Sequence, residues 1–152
     1  MSYSDEAGLG VNNHYGPRKT GNAMGIVKTE GIENEMAIEV TGDMLNNSFR
    51  PELYLPARSR VISAYANVTE VFALGGTSPT INIGTATSEG TNGVEISKTQ
   101  AEALGTYTLS LAGTWAAAIG AADTLVGVDM DGTSPTATSA GKMRVVIKYI
   151  KL

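Results

Sequence analysis

The chain has 152 residues, a formal net charge of −4 and no cysteine. This length predicts one domain whose core needs neither disulfides nor a structural metal. The acidic balance argues against nucleic-acid binding, and no apolar run reaches the eighteen or so residues of a membrane span. The acidic N-terminus also lacks the apolar segment of a secretory signal peptide.

Residues 1–22 predict an N-terminal arm, followed by a single domain over 23–152. The arm is poor in large aliphatic side chains and rich in Gly, Asn and Ser, so it buries little apolar surface by itself. Its candidate contact residues are the single histidine, an aromatic ring and two cations: His14, Tyr15, Arg18 and Lys19. Two interpretations stay open, a solvated tail and an arm that docks on a neighbouring subunit.

Alternation of apolar and polar residues predicts strands along most of the domain. Two short strands come first, at 23–29 and 35–41, and the polar region 42–50 is irregular. Residues 52–55 lie between Pro51 and Pro56 and predict an edge strand or a connection, because proline cannot donate to a central ladder. Later strands are predicted at 106–111, 124–130 and 143–152, and a loop at 88–93.

Residues 60–85 predict a β-hairpin with its turn in the Gly-Gly/Ser-Pro region. One face of its first strand is mostly apolar, with Ile62, Ala64, Ala66, Val68, Glu70, Phe72 and Leu74. The turn pentapeptide GTSPT at 76–80 recurs letter for letter at 132–136, which predicts a second, matching hairpin. Two similar turns without a common role are one interpretation. The other is a partner-binding rim at one end of a sandwich, formed by Thr77, Ser78, Thr133 and Ser134.

A short helix is predicted at about 97–104. Ser97 can cap its N-terminus and Gln100 completes a capping box. Gly105 supplies a left-handed residue to end it, and Leu104 is expected to anchor it to a sheet. Together these elements predict an all-β fold, an eight-stranded jelly-roll-like β-sandwich with one short helix.

No catalytic, cofactor-binding or metal site is predicted. The one histidine lies in the arm, and the Glu33, Glu35 and Glu39 side chains share one face of a strand, as a solvated surface does. Asp131-Gly132 is more simply a turn than part of a calcium loop. Trp115 has three open interpretations: a sugar-stacking residue, a subunit contact, and a core or loop-clamping side chain.

Several segments resemble the small jelly-roll decoration (cement) proteins of tailed bacteriophages. They are NNHYGPR at 12–18, VTEVFALGGTSPTINIGT at 68–85, ATSEGTNGVEIS at 86–97, AEALGTY at 101–107, GTWAA at 113–117 and GKMRVVIKYIKL at 141–152. The resemblance implies a non-enzymatic virion protein, often a homotrimer, that binds the major capsid protein on the capsid exterior. Synthesis in the bacterial host cytoplasm would follow. The alternative is a head-fibre or tail-associated sandwich that binds host glycans, with Trp115 or Tyr107 as a stacking platform.

Overall fold

The computed structural model describes residues 33–46, 52–117 and 119–152. Within these residues the strands are β1 (Glu33–Thr41), β2 (Tyr54–Leu55), β3 (Ser59–Glu70), β4 (Leu74–Thr85), β5 (Gly93–Ser97), β6 (Gly105–Leu109), β7 (Thr124–Ala137) and β8 (Lys142–Lys151). Short helices are α1 (Gly42–Leu45), α2 (Lys98–Ala101) and a 3₁₀ helix (Gly113–Ala116). The predicted arm at 1–22 and the predicted strand at 23–29 lie outside the described residues.

The strands form two four-stranded antiparallel sheets that make a β-sandwich. The first sheet has the order β1-β8-β3-β6 and the second has the order β2-β7-β4-β5. Strands of the first half of the chain thus alternate with strands of the second half, and β1 pairs with β8, β2 with β7, β3 with β6 and β4 with β5. This is the strand order of a jelly roll, so the predicted fold is confirmed.

The inward faces of the two sheets supply one hydrophobic core. In the first sheet Val145 and Ile147 of β8 are fully buried, and in the second sheet Ile81 and Ile83 of β4 are fully buried. Alternate residues of each strand point into the sandwich, which is what the period-two pattern requires. Burial of a side chain of this size contributes about 1.5–3 kcal/mol.

A β-bulge in β3 changes which side chains are buried near the start of that strand. The register against β8 shifts between Val61 and Ser63, so Val61 is 2% exposed whereas Ile62 is 40% exposed. A bulge inserts one residue and moves the alternation by one position. The predicted buried face is therefore correct from Ala64 to Val68, and it is wrong at Ile62 and at Glu70, which are both exposed.

β3 and β4 belong to different sheets, so the hairpin predicted over 60–85 is wrong. Residues 71–73 cross from one sheet to the other. Phe72 is buried at this corner, and its N–H donates to the carbonyl oxygen of Ala101 at 3.0 Å. Alternation is a local property and does not say which strand becomes the partner.

Several smaller elements differ from the predicted ones. The segment flanked by prolines at 52–55 does contain an edge strand, β2, which among the described strands pairs only with β7. The region 42–50 contains α1, and β5 lies where no strand was predicted. β7 continues to Ala137, seven residues beyond the predicted end at Met130. β5 carries a single alternation, Val94 and Ile96, which is too short to identify a strand by its pattern alone.

The helix α2 is shorter than the predicted one. Its capping box is present: the Gln100 N–H donates to Ser97 Oγ at 3.3 Å, and the Ser97 N–H donates to Gln100 Oε1 at 3.0 Å. Leu104 lies beyond the helix and is 65% exposed, so the predicted anchor is wrong, and the buried residue of the helix is Ala101. Gly105 has a positive φ of 149° but begins β6 rather than ending the helix.

Three glycines lie side by side across the second sheet. Gly84 of β4 pairs with Gly93 of β5 on one side and with Gly127 of β7 on the other. A Cβ on Gly84 would lie 2.7 Å from the carbonyl oxygen of Glu89 and closer still to that of Asn92. The backbone of the loop at 86–92 therefore lies directly on this glycine row, which only glycine permits.

The loop at 86–92 is held in place by its own hydrogen bonds. The Thr85 N–H donates to the carbonyl oxygen of Asn92 at 2.8 Å, which closes the loop at its base. Asn92 Nδ2 donates to Ser88 Oγ at 3.1 Å, and Asn92 Oδ1 accepts from the Thr114 N–H at 2.9 Å. Asn92 thus ties the loop both to itself and to the 3₁₀ helix.

Gly84→Ala is expected to destabilise the protein by about 1–3 kcal/mol, because its methyl group would meet backbone atoms of Glu89, Asn92 and Gly93. Gly120→Ala is the matched control, since a Cβ at Gly120 meets nothing within 4 Å. The control is expected to change the free energy of unfolding by no more than about 1 kcal/mol. Urea denaturation of both variants measures the difference, and equal free energies would contradict the close approach of the loop.

Candidate functional site

The two GTSPT segments lie side by side within strands rather than at two hairpin turns. The first, Gly76–Thr80, belongs to β4 and the second, Gly132–Thr136, belongs to its neighbour β7. Thr77 pairs with Thr133 at the centre of the two segments. The prediction of matched hairpins is therefore wrong. The two repeats do lie together, and we name them the twin-bulge surface.

Each repeat forms a bulge against the other. The register of β4 against β7 shifts on both sides of Thr77, so that Ser78-Pro79 lie opposite Gly132 and Ser134-Pro135 lie opposite Gly76. Two residues opposite one is the arrangement of a β-bulge. Because proline has no N–H for the ladder, a bulge is also where a strand tolerates it.

Equivalent residues of the two bulges have the same backbone conformation. Ser78 and Ser134 both have a φ of 50°, and Gly76 and Gly132 have φ values of 100° and 124°. A Cβ on either glycine would lie 2.6–3.0 Å from carbonyl oxygens of the opposite repeat. The identical sequences are thus related by a local two-fold axis through the pair of Thr77 and Thr133.

The twin-bulge surface offers hydroxyl groups rather than charge. Thr77, Ser78, Thr133 and Ser134 are all exposed. A positive φ is uncommon in residues other than glycine, and at a serine it costs about 1–3 kcal/mol. Such backbone strain often accompanies functional sites. Short hydroxyl side chains lose little rotamer freedom on binding, so this rigid surface suits hydrogen bonding to a partner.

Trp115 is fully buried in the 3₁₀ helix, in agreement with the interpretation as a core side chain. Its indole N–H has no hydrogen-bond partner among the described residues. Tyr107 is partly buried, and its hydroxyl donates to the carbonyl oxygen of Ala103 at 3.3 Å. Trp115 therefore presents no open face for stacking, and Tyr107 is only partly accessible. The other candidates, His14, Tyr15, Arg18 and Lys19, lie outside the described residues, and their contact role stays a prediction.

The outer face of the first sheet carries ion pairs. Lys148 Nζ lies 3.3 Å from Glu33 Oε1, and Lys142 Nζ lies 3.5 Å from Glu39 Oε1. The hydrogen bond and the charge of Glu33 raise the pKa of Lys148. The acidic face predicted for β1 is exposed, as expected, and its charges are partly neutralised by β8. Exposed pairs of this kind contribute little to stability.

The fold is similar to those of two chains from phage capsids. A chain of the capsid asymmetric unit of cyanophage Pam1 has a TM-score of 0.56 and 18% sequence identity, covering 89% of this chain and 94% of the phage chain. A chain of the capsid of Ralstonia phage GP4 has a TM-score of 0.52 and 16% identity, covering 81% of this chain and 86% of the other. No family model and no curated protein matches the sequence. At these identities the likeness shows a common fold.

Gly76→Ala and Gly132→Ala are each expected to destabilise the protein by about 1–3 kcal/mol, because both place a Cβ at a positive φ against opposite carbonyl groups. Two-fold equivalence predicts losses of similar size. Thermal and urea unfolding measure them, with Gly120→Ala as the control. A loss confined to one variant would contradict the two-fold relation.

Proposed function

We propose that the protein is a non-enzymatic structural component of a phage virion that binds the capsid exterior and stabilises the shell. It would do so by bridging neighbouring subunits of the major capsid protein. The observation that carries the proposal is the extent of the fold likeness, which spans 89% and 81% of this chain in chains of two phage capsids. Nearly the whole described fold, not one motif, is common to these chains.

The character of the outer surface supports a binding role. Thr77 and Thr133 lie at the centre of a rigid, uncharged, hydroxyl-rich surface on the two central strands of one sheet. In the described residues no three His, Cys, Asp or Glu side chains form a group able to hold a metal ion. A rigid surface binds with a small ordering cost, as a permanent shell contact requires.

Assembly as a homotrimer would strengthen such a contact. Each copy would offer one twin-bulge surface, and three linked surfaces raise the effective concentration at the shell. The segment 1–22, with His14, Tyr15, Arg18 and Lys19, would add a contact to a neighbouring subunit. The shell is stabilised by mass action, because the protein binds the assembled state and not free subunits.

A glycan-binding role has less support. Stacking on a sugar ring requires an open aromatic face, whereas Trp115 is fully buried and Tyr107 is partly buried. Binding to a glycan array without binding to capsids would favour that alternative over the proposal.

Addition of the protein to expanded capsids assembled without it tests the proposal. We expect saturable binding and a higher temperature of shell disruption, measured as bound copies per particle and as heat-induced release of contents. Failure to bind, or binding without a gain in heat resistance, would refute the cementing role. Sedimentation tests the proposed homotrimer separately. A monomer at micromolar concentration would refute the trimer but not the cementing role.

Simultaneous replacement of Thr77, Ser78, Thr133 and Ser134 by alanine tests the twin-bulge surface. We expect the affinity for capsids to fall at least about tenfold, since several interface hydrogen bonds of about 0.5–1.5 kcal/mol each are lost. The matched control replaces four exposed hydroxyl residues elsewhere: Thr99, Thr106, Thr108 and Ser110. Circular dichroism checks both folds, and equal affinity of the two variants would exclude this surface from the contact.

A further inference from the structure

A polar cleft of about 440 Å³ lies on the outer face of the second sheet, beside the twin-bulge surface. Its floor is formed by Asn82 of β4 and by Asp129 and Asp131 of β7, and Asp129 pairs in register with Asn82. The loop at 86–92 forms the wall and contributes Glu89 and Gly90. The glycine row makes the cleft possible, because it lets the loop lie against the sheet.

Glu89 is the unusual residue of the cleft. It is only 6% exposed, and no hydrogen bond or ion pair joins its carboxylate to any described residue. Its Oε1 lies over Gly127, where a Cβ would collide with it. The carboxylate keeps a small contact with solvent, and a mostly buried carboxylate without a protein partner favours the approach of a cation.

Further negative charge surrounds Glu89. Asp129 and Asp131 each use Oδ1 to accept a hydrogen bond from the next backbone N–H, at 2.8 and 2.7 Å. Their Oδ2 atoms take part in no hydrogen bond or ion pair with the described residues. Glu95 of β5 pairs in register with Asn82, adding a fourth carboxylate nearby. Among the described residues, no Lys, Arg or His lines the cleft.

The cleft suits a large cation with several donors better than a metal ion. The described residues contain no group of three carboxylates close enough to hold a metal ion, although three of them line this cleft. A guanidinium group is planar, has five N–H donors and reaches carboxylates that are set apart. It is also weakly hydrated, which favours its transfer to a partly buried site.

We propose that the cleft between the 86–92 loop and strands β4 and β7 receives an arginine side chain of a protein partner, with Glu89 as its principal acceptor. The inference deepens the proposed function, because the cleft adjoins the twin-bulge surface along the same two strands. Under that function the arginine belongs to a capsid subunit and fixes the position of the contact. The charge of the cleft also steers the encounter.

Argininamide is the probe that tests the cleft without a capsid. In amide NMR spectra of the full chain we expect it to shift the signals of Asn82, Glu89 and Gly90, saturating on the order of millimolar. Citrullinamide has nearly the same shape without the charge, and it is expected to leave these signals unchanged. Lysinamide is expected to bind several-fold more weakly, and equal binding of either compound would overturn the guanidinium assignment. Saturation of the same signals by submillimolar calcium chloride would also overturn it, in favour of a metal site.

Two variants locate the acceptor. Glu89→Gln removes the charge and keeps the size, and Gly127→Ala keeps the charge and displaces the carboxylate. Both are expected to weaken argininamide binding at least about fivefold. Glu35→Gln, a single charge removal on exposed β1 of the other sheet, is the control and should not change it. Native affinity in both cleft variants would refute the proposal.

Capsid binding by Glu89→Gln separates the two proposals. At least about a tenfold loss relative to Glu35→Gln supports an arginine from a capsid subunit. If Glu89→Gln loses argininamide but binds capsids normally, the cementing role stands and the cleft contact with the capsid is refuted. If the native protein binds argininamide but no capsids, the cementing role fails and the cation-binding cleft stands.

Discussion

The antiparallel ladder between β4 and β7 positions every surface feature among the described residues that we propose for binding. Its inward side supplies core residues such as Ile81 and Val128, which fix the register of the two strands. Its outward side carries, in order, the twin-bulge surface, the acidic cleft and the glycine row. A slip of one residue would turn the apolar side chains outward, so the core that stabilises the sandwich also fixes the surface groups.

Two devices along this ladder produce a shaped surface from regular strands. The bulges use extra residues and positive φ values at Gly76 and Gly132 to present exposed hydroxyl groups in a rigid arrangement. The glycine row removes side chains and lets the 86–92 loop lie on the sheet, which buries Glu89 at the edge of a cleft. The bulges thus expose hydroxyl groups, and the glycine row lets a loop pack directly on the sheet.

The two outer faces of the sandwich differ in whether their carboxylates have cationic partners within the chain. On the first sheet the carboxylates of Glu33 and Glu39 are neutralised within the chain by lysines of β8. On the second sheet no lysine or arginine among the described residues lines the cleft that holds Asp129, Asp131 and Glu89. An unpaired acidic cleft can steer and orient a cationic partner, whereas a face whose charges are already paired does so less. This asymmetry favours the second sheet as the binding face.

Much of the proposed binding surface is visible in the sequence only as features without an evident role. The repeat of GTSPT was identified, but its meaning as two paired bulges depends on the register of β4 against β7. Nothing local in the sequence shows that Gly84 and Gly93 become neighbours across two strands. No sequence pattern indicates that Glu89 is buried, because its burial results from the packing of its loop on a distant part of the chain.

By itself the sequence determined the fold class, the strands with clear alternation and the capping box at Ser97. These depend on contacts between residues close along the chain, where side-chain direction follows directly from backbone geometry. The tertiary structure alone decided that β3 and β4 lie in different sheets, that Ile62 faces outward and that the two repeats meet. Strand partners and bulges are selected by the packing of apolar faces from distant segments, and that selection leaves no periodic trace in the sequence.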